Sequence, residues 1–125
     1  MNIVRLSFVY DADGSLVGEL RYYLGSLIGV THCSLCDVTH TKVGRRSSFT
    51  RCAQRVGLPI TYLHRDAVPD DVTRAAAAEW PAVVGQLADD RAVVLLSKTQ
   101  LDAIDGDVEK FEQQLHAAIR AAETT

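Results

Sequence analysis

The chain has no apolar run approaching the ~18–20 residues of a membrane-spanning helix, so no membrane partner is expected. It also lacks an excess of positive charge. Its 13 Lys and Arg residues face 16 Asp and Glu, a formal net charge of −3, which leaves no basic footprint for nucleic acid. The only dense cationic stretch, Lys42, Arg45, Arg46 and Arg51, reads as a solvated face. Neither G-x-x-x-x-G-K-[ST] nor G-x-G-x-x-G occurs, so nothing predicts a phosphate cradle for a nucleotide. Cysteine is scarce: three residues, an odd number, do not make a closed framework of structural disulfides. The opening MNIVRLSFVYDADG breaks its apolar run at Arg5 and turns acidic, unlike a secretory signal, so the expected location is cytoplasmic. No repeat, low-complexity tract or linker divides the 125 residues, and a single α/β domain over 1–125 is expected.

What is present suits a packed globular protein, with 47% hydrophobic and 23% charged residues. IVRLSFVY, residues 3–10, is rich in β-branched and aromatic types and predicts a strand buried on both faces. Asp13 or Ser15 can cap a helix over 15–29 in which Leu16, Leu20, Leu24, Leu27 and Ile28 recur at helical spacing. Residues 41–57 read as a helix interrupted near Gly44, with Phe49, Cys52, Ala53 and Val56 as its apolar stripe. LPITYLH predicts a second strand over 58–64, and the alanine-rich DVTRAAAAEW predicts a helix. PAVVGQLADDRAVVLLS carries a hairpin signal, and DVEKFEQQLHAAIRAAE is an amphipathic helix with Val108, Phe111, Leu115, Ala118 and Ile119 on one face. Strands alternating with helices and closing on a hairpin predict a small four-stranded mixed sheet flanked by helices.

The densest chemistry lies in THCSLCDVTH, residues 31–40. On a helix, Cys33, Cys36 and His40 fall at relative angles near ~0°, ~300° and ~340°, one face. A cysteine at a helix N-terminus has its pKa lowered, the thiolate attacks disulfides, and a second thiol one turn on resolves the mixed disulfide. Cys33 is then the nucleophile and Cys36 the resolving thiol, with Asp37 and His40 tuning the couple and no cofactor required. The same residues also suit a metal: Cys33, Cys36 and His40, with His32 or Cys52 as fourth ligand, form a zinc or soft-metal set. A third reading is inert packing, and Cys52 on its apolar stripe reads as core. His64 and His116 read as surface or satisfied structural histidines.

CSLC near a helix start, with Trp80-Pro81 leading into a hairpin and a terminal amphipathic helix, resembles the thioredoxin and glutaredoxin superfamily. The resemblance implies a thioredoxin-like fold and thiol–disulfide exchange with an unidentified protein or small-thiol partner. It also implies that Pro81 is cis and lies against the dithiol. VYDADGSL with CSLCDVTH further resembles a family of small bacterial proteins of similar length, a likeness that implies no activity. Finally, DADGSL after the first strand resembles the first motif of haloacid dehalogenase-type phosphatases. That likeness implies Asp11 as nucleophile and Asp13 as acid beside magnesium, with Ser97, Lys98 or Lys110, Asp105 and Asp107 echoing later motifs. The plainer reading is a strand-to-helix turn capped by Asp13 or Ser15.

Overall fold

A computed structural model describes residues 1–11, 34–41, 44–45 and 47–124, with backbone alone at Asp37, His40, Thr41, Gly44 and Arg45. The expected helix over 15–29, together with Asp13, His32 and Cys33, lies outside the described residues.

Strand β1 (Ile3–Tyr10) is central because both neighbours bond to it: β4 (Ile60–His64) in parallel and β5 (Ala82–Leu87) antiparallel. Strand β6 (Ala92–Leu96) completes a mixed sheet of order β4-β1-β5-β6 by antiparallel pairing with β5. The α/β class and the four-stranded mixed sheet are as expected, and the order is consistent with a thioredoxin-like arrangement. β1 is buried on both faces only towards its C-terminal end, where Phe8 and Val9 are fully inaccessible. Val4 and Arg5 are exposed, since the parallel pairing starts at Leu6↔Ile60 and a bulge lies between Ile3 and Arg5. The hairpin turns at Ala88–Asp90 without glycine because Asp90 adopts the left-handed region, φ 70°, which short polar side chains tolerate.

One face of the sheet carries four helices: α1 (Ser34–Thr39), α2 (Ser47–Val56), α4 (Lys98–Ile104) and α5 (Val108–Glu123). Three rings, Phe8, Phe49 and Phe111, are essentially inaccessible there and meet at centroid distances of 5.9–6.4 Å. The other face is covered by α3 (Asp70–Ala75) over Val9, Val72, Ala76, Ala82 and Val84. Among the described residues no helix is long and apolar enough to cross a membrane.

Three elements differ from the sequence expectation. The interruption near Gly44 is a two-stranded ribbon, β2 (His40–Thr41) paired with β3 (Gly44–Arg45). The alanine-rich helix stops at Ala75, although alanine is the strongest helix former. Its end is a Schellman motif in which Ala78 N–H donates to Thr73 C=O and Ala77 N–H to Arg74 C=O. Ala77 therefore holds φ 53°, where glycine is the usual residue. The third, α4, has no counterpart in the expectation. A capping box starts it, with Ser97 Oγ accepting from Gln100 N–H and the Gln100 side chain accepting from Ser97 N–H.

Candidate functional site at the cysteine helix and the proline edge

α1 is described from Ser34, the residue after Cys33, onward. Leu35 and Val38, three positions apart, are fully buried and seat the helix on the core. Cys36 lies between them in sequence and is half-buried, packed against the same core. Cys33, the other cysteine of the motif, lies outside the described residues.

The helix is fastened at its other end. Thr39 Oγ1 donates to Leu35 C=O at 3.2 Å, and Tyr10 O–H donates to Thr39 Oγ1 at 3.1 Å, joining the last turn of α1 to the end of β1. The Tyr10 ring stacks on Tyr62 at 6.3 Å, which aims the hydroxyl at that turn. The β-branched Thr39 spends its hydroxyl on backbone four residues back, and the chain leaves the helix directly after it. His40 consequently opens β2, opposite Arg45, instead of continuing the helical face of Cys36. The expectation that Cys33, Cys36 and His40 share one helix face is corrected on this point.

Strand register assembles the rest of the site. Tyr10 pairs with His64, and Val9 pairs with Ala82, so Pro81 follows on at the same edge. The carboxyl edge of β1 and β4 is where α/β sheets receive ligands. Pro81 is buried and its bond to Trp80 is cis, as the resemblance implies; its distance from Cys33 involves a residue outside the described set. Two buried polar atoms have no hydrogen-bond partner among the described residues: Ser34 Oγ, next to Cys33, and His64 Nδ1. His64, expected as a surface or satisfied structural histidine, is half-buried and leaves this nitrogen unpartnered among the described residues. Only its place at the end of a predicted strand signalled it. His116, by contrast, pairs with Glu112 at 3.4 Å.

Cys52 is core, as expected. It is 1% exposed on α2, and burial, reinforced by Glu112 and opposed by Arg55, pushes its thiol up to about 11. Among the described residues no three His, Cys, Asp or Glu side chains gather as a metal site. Asp11, half-buried, is engaged by Arg65 Nη1 at 3.1 Å. The other residues that echo phosphatase motifs have local duties: Ser97 caps α4, Lys98 is its first residue, Asp105 ends it at φ 54°, and Asp107 caps α5. Lys110 supplies the N–H that Asp107 accepts.

Comparison with protein-family models, curated proteins and solved structures returns no match. The functional reading therefore rests on the sequence motif and the geometry around it.

Proposed function

We propose that this protein is a cytoplasmic thiol–disulfide oxidoreductase that uses Cys33 and Cys36 as its redox couple. The carrying observation is Cys36, half-buried on a helix described from Ser34 onward, in a sheet whose carboxyl edge bears the buried Pro81. Further support comes from the contrast with Cys52, whose buried thiol is held neutral and out of reach. In the reaction, Cys33 thiolate attacks one sulfur of a partner disulfide, breaking the S–S bond and releasing the other sulfur as a thiolate. Cys36 thiolate then attacks Cys33 sulfur and expels the second partner thiolate. The partner gains two electrons and, from solvent, two protons, while Cys33 and Cys36 become a disulfide. A small thiol such as glutathione reduces the couple for the next cycle.

The test is alkylation and intact-mass analysis after equilibration in glutathione buffers, with zinc content measured on the same samples. Oxidation is expected to remove two of the three titratable thiols, and Cys33→Ser or Cys36→Ser should abolish that loss. Cys52 should label only on unfolding. Three thiols titrating under every oxidising buffer, or stoichiometric zinc shielding Cys33 and Cys36, would overturn the reading.

A further inference from the structure

Cys36 lies in a segment whose sequence does little to keep it helical. Within SLCDVT of α1 only Leu35 is a strong helix former, so the order of these residues comes from what they touch. Apolar packing is one source, since Leu35 and Val38 are fully buried in the aromatic core. A line of hydroxyls is the other. Tyr10 O–H donates to Thr39 Oγ1 at 3.1 Å, and Thr39 Oγ1 donates to Leu35 C=O at 3.2 Å. That carbonyl belongs to the peptide unit whose nitrogen is that of Cys36. Thr39 lies three residues after Cys36 and so on the neighbouring surface of the helix. The line therefore reaches the cysteine from both directions, at the peptide group before it and at the residue one turn after it.

The line starts from a well-held side chain. Tyr10 ends β1 in register with His64 of β4, and its ring lies nearly parallel to Tyr62, 8° between planes. Tyr62 in turn meets Phe8 edge-on at a centroid distance of 5.7 Å. Tyr10 is 4% exposed and Thr39 is inaccessible, so bulk water does not compete for this bond. Apolar contacts tolerate small slides and rotations of a helix, whereas a hydrogen bond weakens steeply as its angle opens.

We propose that Tyr10 is a positioning residue for the second step of thiol–disulfide exchange, its hydroxyl holding Cys36 in the pose from which its sulfur closes on Cys33. That role rests on the redox reading above. The first step joins a partner to Cys33 and makes no use of Cys36. The second is intramolecular, and its effective concentration follows how well the incoming sulfur is placed.

Equilibration of the full chain in a series of glutathione buffers, acid quenching and intact-mass analysis separate the two steps. Cys33 thiolate attacks glutathione disulfide, giving the Cys33–glutathione mixed disulfide and one glutathione thiolate. Cys36 thiolate, its proton passed to solvent, then attacks Cys33 sulfur, giving the Cys33–Cys36 disulfide and a second glutathione thiolate. The readout is the free glutathione concentration at which mixed and internal disulfides are equal. Tyr10→Phe, which keeps the ring, should lower it about fivefold. Thr39→Val, of the same shape without the hydroxyl, should match that loss, and the double variant should fall no further than Thr39→Val alone. Thr39→Ser should keep the wild-type value. In a Cys36→Ser background Tyr10→Phe should leave the extent of glutathione attachment unchanged, with circular dichroism verifying that each variant is folded. An unchanged concentration in folded Tyr10→Phe, or an equal change in the Cys36→Ser background, would overturn the role and leave the redox couple standing. A wild type that forms no internal disulfide in any buffer would overturn both.

Discussion

The two faces of the sheet are built by different means. The four-helix face packs large rings and branched chains, and Phe8 alone touches Phe49, Tyr62 and Phe111 at centroid distances of 5.7–5.9 Å. The buried members of the α3 face are all valine and alanine, Val9, Val72, Ala76, Ala82 and Val84, with Leu63 and Trp80 half-buried against them. Small side chains bring a short helix close to the sheet but remove little area from water. Stability should therefore be distributed unequally, while both faces satisfy the same backbone ladder.

The sharpest way to break that contrast is truncation on each side. Phe8→Ala should cost about 3–5 kcal/mol, whereas Val84→Ala should cost about 2 kcal/mol, both read from urea unfolding midpoints at constant m. Equal losses would mean that the α3 face carries more than its composition implies.

A pH series separates the faces next, because Cys52 sits on the aromatic side. Its folded value of about 11 lies above the ordinary 9.0. Below pH 9 the thiol is protonated in both states and its contribution is intact. Between pH 9 and 11 only the unfolded chain ionises, so stability falls as pH rises. Relative to Cys52→Ala, wild type should lose on the order of 2 kcal/mol across that window, measured by denaturant unfolding. A constant difference would place the thiol in contact with water.

The smallest expected effect is on the thin side and of opposite sign. Ala77→Gly should stabilise the protein by roughly 0.5–1 kcal/mol, since Ala77 holds a left-handed conformation that glycine adopts freely. A thermal scan resolves that shift, and a destabilised variant would show that the methyl group packs.

Much of this architecture is legible in the sequence. The β-branched runs over 3–10 and 58–64, the hairpin behind Trp80-Pro81 and the last amphipathic helix stand where periodicity places them. The failures are local. Four consecutive alanines argue for a longer α3, but the chain must reverse into β5, and backbone hydrogen bonds from Ala77 and Ala78 close the helix early. α4 is short and adjoins β6, so its apolar pattern merges with the strand; S-x-x-Q at Ser97 and Gln100 is the signal that separates them. Of the candidate site, Cys36 and Pro81 are readable from motif and spacing. Tyr10, Thr39 and His64 are not, because strand register and a hydroxyl contact, rather than any adjacency in sequence, bring them together.

The hydroxyl tether between Tyr10 and Thr39 clamps the last turn of α1. With Ser34 and Leu35 sealed at the other end of its six described residues, Cys36 sits between two fixed points. A partner tugging on the helix would thus transmit its load straight into β1, a strand paired on both sides within the sheet.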